Sequence, residues 1–295
     1  MLRQGARVKY AFVQSARRTA ELSLKRLIDL VAVSSSGYYA WLKRKPSRRS
    51  QENGQLDHKI AKIYWQHRGL YGYRRIYVEL ESGIYSGTRD RIRRRMCQMG
   101  LHAIIKRKFK HTTDSAHNKA ITPNLLNQVF TVNKPDKAWV GDITYVRVGQ
   151  KWIHLAVIVD LYSRKVIGWA MDKHMKSVLA CNTLKMALSS LSHPKDVMVH
   201  GDRGSQYCSK DYQRLITNHQ LKCSMSGKGN CYDNAVCESF FHTLKTELVY
   251  QRNYENREQA RQSLFWYLEA YYNRVRRHSS IGYMSSENLA LKCAG

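Results

Sequence analysis

The spacing of apolar residues changes once along the chain, near residue 125. Before that point it follows a helix. Leu24, Leu27, Ile28 and Val31 fall on one helical face. The segment Ser34–Gly37 supplies a turn and an N-cap for a second helix through Tyr38, Tyr39 and Trp41. Helix, short turn and second helix with a basic end at Lys43 and Arg44 is a helix-turn-helix layout over residues 1–50, with a plain helical hairpin as the alternative. KRKPSRRSQENG (43–54), polar and basic with one proline, reads as a linker. Three further helices, near 55–67, 73–82 and 87–99, make a helical domain over 55–105. In the last of them Ile92, Met96 and Met99 face inward, leaving Arg91, Arg93, Arg94 and Arg95 for solvent or phosphate. KRKFKHTTDSAHNKAITPN (106–124) has no period and reads as a basic linker.

Past residue 125 the pattern is that of strands. AWVGDITYVRV, QKWIHLAVIVD and RKVIGWAMD are β-rich runs joined by VGQK and LYSR. A helix follows near 176–191, then the short strand DVMVH, a helix over 209–219, the strand LKCSM and a long helix from about Cys231. Three antiparallel strands, then helix, strand, helix, strand, helix, is the order of a ribonuclease-H-like mixed sheet, an α/β core over 125–250. A last helix near 257–274 opens a C-terminal helical extension over 251–295. Trp139, Trp152 and Trp169 are expected in the core.

The charge narrows the partners. Lys and Arg number 50 against 22 Asp and Glu, a net +28, with 43% hydrophobic residues to build a core. Such an excess matches a polyanion, above all double-stranded DNA. It is concentrated in residues 1–120, which hold 27 Lys or Arg and 8 Asp or Glu. The seven cysteines form no CxxC pair, so no zinc site is expected. No stretch of about 18 apolar residues predicts a membrane span, and no leader pattern is seen, so a cytoplasmic, nucleoid-associated protein is expected.

Three acids then stand out on this basic chain. Strand alternation places Asp142 on one face with Val140, Thr144 and Val146, where an acid is costly unless paired or metal-bound. Asp202 follows a strand end in HGDRGSQY, and Glu238 lies on the long helix with 35 residues between the two. Seven positions return a helix to within about 20° of its start, so Lys245 stacks two turns past Glu238. Carboxylates converging on paired divalent cations about 3.5–4 Å apart perform phosphoryl transfer, so the pattern predicts an enzyme that cuts and joins DNA. Arg203, Ser205 and Gln206 are candidates for DNA contact beside these acids. Asn273, Arg276, Arg277 and His278 are candidates for contact with DNA or a partner subunit, or for a simple C-terminal cap. Asp160 is read as a hairpin-turn acid rather than a metal ligand, and His200 as a packed strand-end histidine. GKGN lacks the glycine spacing of a phosphate loop.

The segments SSSGYYAWLKR, YGYRRIYVEL, WVGDITYV, LAVIVDLYSRKVIGW, HGDRGSQY, NAVCESFFHTLKTEL and YNRVRRHSSIGY also carry a resemblance. In this order they resemble the orfB-type transposases of bacterial insertion sequences, whose catalytic core is similar to retroviral integrase. The resemblance implies that Asp142, Asp202 and Glu238 are the D-D-E catalytic and metal-binding triad. It also makes Lys245 the lysine that follows the glutamate. It implies Mg²⁺, with Mn²⁺ as a substitute, cleavage at element ends and strand transfer through a circular intermediate. The partners implied are element ends and target DNA, a homo-oligomer on that DNA, and an upstream-frame product or fusion. The chain departs from the pattern in MSSENL, where a proline is common, at Gly201, where serine is common, and at Cys237, where a small residue is common. A catalytically silent helix-turn-helix regulator and a structure-selective nuclease of the same fold are the alternatives.

Overall fold

The computed structural model describes residues 5–19, 22–83, 85–104, 122–189, 196–227 and 231–294. The segment read as a linker over 106–124 therefore lies, up to residue 121, outside the described residues. Contacts divide the chain into two compact units, Met1–Lys62 and Ile63–Gly295.

The first unit is helical: α1 (Ala6–Thr19), α2 (Leu24–Leu30), α3 (Ser35–Lys43) and the first part of α4 (Arg48–Gln66). Ser23 and Ser34 cap α2 and α3, accepting from the amides of Arg26 and Gly37. Leu27, Ile28 and Val31 bury against Val13 of α1 and Tyr38 of α3, which shows the apolar face read from their spacing. The stretch read as a linker over 43–54 is shorter than expected. Only residues 44–47 lack helix, because Ser47 accepts from the Ser50 amide and starts α4 directly after Pro46. Arg48 and Glu52 then form an i,i+4 pair along that first turn.

The second unit is built on a five-stranded sheet in the order β3-β2-β1-β4-β5. Its strands are β1 (Ala138–Val148), β2 (Lys151–Asp160), β3 (Val166–Asp172), β4 (Met198–Gly201) and β5 (Lys222–Met225). β1, β2 and β3 pair antiparallel; β4 and β5 join in parallel after crossovers through α7 (Ser177–Ser189) and α8 (Lys210–Asn218). This is the mixed sheet expected from the element order.

Period-2 alternation divides the sheet between two apolar layers. Val140, Val146, Ile153, Leu155 and Val157 pack on α9 (Ala235–Glu247), on α10 (Arg257–Phe265) and on the π-helical turn Trp266–Tyr272 that continues α10. Trp139 and Ile158 pack on α7 and α8 from the other side. At Gly168 on β3 a Cβ would collide with the backbone of Thr183 and Ala187, so glycine is what lets α7 lie this close. Beyond Ile143 that second layer stops: Tyr145 is 42% exposed and Trp152 46% exposed. Trp152 was expected in the core with Trp139 and Trp169. It stands open because its face of the sheet is uncovered at the hairpin end.

The two remaining helices before the sheet, α5 (Tyr73–Glu81) and α6 (Arg89–Gln98), belong to this second unit. Tyr71, buried ahead of α5, accepts from the Arg277 amide at 2.9 Å, and Glu79 receives Arg277 through Nε at 2.5 Å and Nη2 at 3.0 Å. The segments YGYRRIYVEL and YNRVRRHSSIGY, some 200 positions apart, are thus joined both main chain to side chain and side chain to side chain. α11 (Ser286–Ala294) closes the described chain.

Candidate active site

Three elements bring the acids together. Asp142 sits on β1, between Gly141 and Ile143, where it pairs across the ladder with Val157 of β2. The Ile143 amide donates to its Oδ1 at 2.7 Å. Asp202 follows Gly201, the last residue of β4, which lies parallel to β1. The turn after it closes on its own carboxylate: the Gly204 amide donates to Asp202 Oδ1 at 2.8 Å. A Cβ at Gly204 would stand 2.8 Å from that oxygen, so the tight turn itself calls for glycine. Glu238 projects, exposed, from the first turn of α9.

α9 is fixed on β1 by contacts that flank the acids. The Asn234 amide nitrogen donates to the Gly141 carbonyl at 3.2 Å, and the Cys237 thiol to the Val140 carbonyl at 3.3 Å. Buried Asp233 accepts from Gln128 at 3.0 Å and from the Gly227 amide at 2.6 Å, which anchors the turn leading into the helix. The Cys237 thiol is pushed well above its ordinary range by burial and by the three neighbouring carboxylates, so it remains protonated.

The electrostatics show that the three acids act on one another. Burial, then the charge of Asp202 and that of Glu238, push the Asp142 carboxyl up to about 8, against the pull of the Ile143 amide and of Lys245. Lys245, on α9, is itself lowered by burial and raised by Asp142. Its ammonium lies 5.0 Å from the centre of the Tyr145 ring, which packs edge-on against Trp152. Tyr207, buried beside Gly201, has its hydroxyl pushed far above the phenol range by burial, Asp142 and Asp202, and stays neutral.

Hard carboxylate oxygens with excess negative charge are a donor set suited to a divalent cation such as Mg²⁺. Among the described residues no group of three His, Cys, Asp or Glu side chains is already placed to hold a metal ion. An ion here would complete its shell with water or substrate phosphate, as Mg²⁺ commonly does.

The other candidates separate clearly. Arg203, partly exposed, donates from Nε to the Ser226 carbonyl at 2.6 Å and ties the turn after Asp202 to the end of β5. Gln206 donates to the Met175 carbonyl at 3.0 Å. His200 is buried between Ser224 (2.9 Å) and Ser226 (3.2 Å); burial, against the pull of Asp233, lowers it to about 4, which makes it a neutral packed histidine. Asp160 takes the Ser163 amide and hydroxyl at 2.8 and 2.6 Å inside the β2–β3 turn. On α6, Ile92 and Met96 are buried, Met99 is half-buried, and Arg93 and Arg94 are exposed. Arg91 and Arg95 are partly exposed, and Arg95 donates to Gln98. Lys43 and Arg44 are exposed in the first unit.

Asn273, Arg276 and His278 are not a DNA-facing surface. They are buried, and each is spent inside the fold. Asn273 pairs with both backbone groups of Val166 at 2.9 Å. Arg276 grips Glu247, at the end of α9, through two bonds of 2.8 Å, and Tyr267 donates to the same carboxylate at 2.8 Å. Sequence reasoning saw the charges but not this partner, since Glu247 stands 29 positions away. Tyr145, three residues past Asp142, was likewise missed; its odd position on an open sheet face was the available signal.

Family models match the chain in three stretches, the HTH-like one on residues 50–109 and not on the 1–50 segment read as helix-turn-helix. The integrase core domain family matches residues 132–231, a second integrase core domain family matches 219–285, and the HTH-like domain family matches 50–109. The chain is 40% identical over 287 residues to the transposase InsF for insertion sequence IS3A of Escherichia coli K12, covering 97% of this chain and 99% of that one. It is 43% identical over 260 residues to an uncharacterized 31 kDa protein of insertion element IS600 from Shigella sonnei, covering 88% and 95%. Among solved structures, the simian T-cell lymphotropic virus intasome with PP2A regulatory subunit B56 gamma aligns at TM-score 0.45 and 19% identity, over 78% of this chain and 73% of that one. The HTLV-2 integrase catalytic core with magnesium aligns at 0.41 and 18%, over 52% and 95%.

Proposed function

The chain belongs to the family of the IS3-type insertion-sequence transposases, and from that premise we propose that Asp142, Asp202 and Glu238 are the catalytic acids of this transposase. The observation that carries the reading is the mutual charge of the three. Asp142 is pushed up to about 8 by burial, Asp202 and Glu238, the electrostatics expected where acids share a cation. The three would hold Mg²⁺, with Mn²⁺ able to replace it. When bound, the metal would activate a water or 3′-hydroxyl and stabilise the leaving 3′ oxygen of an in-line phosphoryl transfer.

The chain's own residues do the rest. The Ile143 and Gly204 amides each donate to one oxygen of the Asp142 and Asp202 carboxylates and so orient them. Asn234 and Cys237 set the distance of α9, and therefore of Glu238, from β1. Lys245, steadied over Tyr145, offers a cation for substrate phosphate beside the acids. The exposed Arg93 and Arg94, with Arg91 and Arg95, are proposed to grip element-end DNA, as are Lys43 and Arg44 in the first unit and Arg203 beside the acids. The working form is proposed to be a homo-oligomer holding two ends, formed with an upstream-frame product or fusion and acting on the bacterial nucleoid.

Asp202→Asn tests this reading. Mg²⁺-dependent cleavage of element-end duplex should fall by 10³-fold or more, a loss on the scale of ~4 kcal/mol of transition-state stabilisation, while DNA affinity is unchanged. Retained cleavage would remove Asp202 from the mechanism.

A further inference from the structure

A cavity of about 500 Å³ lies well away from the acids, lined by Arg68, Arg252, Asn253, Gln259, Gln262 and Trp266 among others. We propose that it is a second DNA-binding site, taking the sugar-phosphate backbone of duplex flanking the reacting end through Arg68 and Arg252. The proposal deepens the reading above, because the flank is defined relative to a reacting phosphate at Asp142.

The lining has the chemistry of a phosphate seat. The Arg68 guanidinium lies over the Trp266 indole, its carbon 4.1 Å from the ring centre. A guanidinium over an aromatic face keeps N–H donors for two-pronged contact with a phosphate. Arg68, exposed, sits in a tight turn. Its φ is +52° and that of Gly69 is +73°, so two successive left-handed residues turn the chain after α4. His67, one residue earlier, is buried and stacked on Tyr71 at 3.7 Å, which fixes the turn from inside. A non-glycine residue in that conformation carries local strain of order 1 kcal/mol.

Arg252 is exposed but anchored, donating from Nη1 to Ser263 Oγ at 2.9 Å, and Ser263 in turn receives Tyr254 at 3.1 Å. Asn253, Gln259 and Gln262 add amide groups suited to phosphate and sugar oxygens. Gln262 donates to Glu258 at 3.4 Å, which brings an opposing carboxylate to a lining residue. Two arginines with amides and one aromatic face suit a nucleic-acid backbone better than a second protein surface, whose anchors would be apolar.

The position gives the site its role. Tyr254, which also lines the cavity, accepts from the Gly149 amide at the β1–β2 turn at 3.0 Å. Gly149 lies seven residues along β1 from Asp142, about 24 Å at the rise of an extended strand. The cavity therefore serves affinity for the flank and leaves the chemistry of the end alone.

The test is fluorescence anisotropy of the full chain on a labelled mixed-sequence duplex of about 30 bp, across a salt series, together with single-turnover cleavage at saturating element-end DNA. For the paired change Arg68→Ala with Arg252→Ala, the slope of log affinity against log salt should drop by about 2, one for each lost phosphate contact. Cleavage at saturation should stay within twofold of wild type. Arg68→Lys with Arg252→Lys should keep most of the slope. If the alanine pair melts early, Arg252→Gln alone should lower the slope by about 1. An unchanged slope overturns the proposal, as does an unchanged slope with loss of a dimer by light scattering, which would make the cavity a contact between copies. Asp202→Asn separates the two readings: cleavage by that variant sinks the triad and leaves the cavity standing, whereas an unchanged slope in the arginine pair does the reverse.

Discussion

Among the described residues of the second unit, two charge clusters meet opposite ends of α9, and they are built on opposite principles. At the end of the helix, Glu247 is pushed up by burial but pulled below its ordinary range by Arg276, Arg75 and the Tyr267 hydroxyl. Arg276 is raised in return, and its position beside His278, with burial, drives that histidine down to about 3. Each charge there meets its opposite. At the start of the helix, Asp142, Asp202 and Glu238 meet one another, with Lys245 as the neighbouring cation. Charges compensated within the fold serve architecture; acids crowded on one another have the electrostatics of a site for a cation.

Breaking the compensated cluster should do the larger damage to stability. Arg276→Ala leaves Glu247 buried without its fork and should cost about 3–5 kcal/mol in urea unfolding. The double change Arg276→Met with Glu247→Leu should recover most of that loss, because an apolar pair of similar volume needs no compensation. If the single change is silent, the cluster is not what holds α9 down. Next in size is Asn273→Ala, which orphans the amide and carbonyl of Val166 at the start of β3 and should cost about 1–3 kcal/mol by the same measurement.

The smallest effect sharpens the other side of the contrast. Tyr145→Ala removes the aromatic face beneath Lys245, a contact worth roughly 0.5–1 kcal/mol, and should raise KM for element-end DNA a few-fold while Tyr145→Phe restores it. An equal loss in both variants would mean that the hydroxyl, not the ring, matters.

Much of this contrast could be read from the sequence, but unevenly. Alternation in AWVGDITYVRV fixed the face of Asp142, and the helix angle put Lys245 two turns past Glu238, because both are local periodicities. The strand order followed from the run of elements. What could not be read were partners distant along the chain. YNRVRRHSSIGY resembles a basic contact surface until Glu79 and Glu247 are seen against it, and pairing across 29 to 198 positions leaves no periodic trace. Trp152 failed for a related reason: its burial depends on how far α7 and α8 extend over the sheet, not on its own strand. The extra helical turns at Arg48 were hidden by Pro46, which ends one element but also admits a serine cap for the next.

The central claim is that the acids at the start of α9 carry a cost which a divalent cation removes, and stability against pH measures it directly. An acid raised to about 8 in the folded chain, from an ordinary value near 3.8, binds its proton more tightly when folded. Its share of stability is therefore fully present below pH ~4 and is lost progressively as pH rises towards ~8. Urea unfolding of wild type and Asp142→Asn should be compared at pH 5 to 8.5, in EDTA and again in Mg²⁺. In EDTA the variant should gain on wild type steadily as pH rises, and in Mg²⁺ the gap should close as the cation stabilises wild type alone. A gap that stays flat with pH and indifferent to Mg²⁺ would contradict the account.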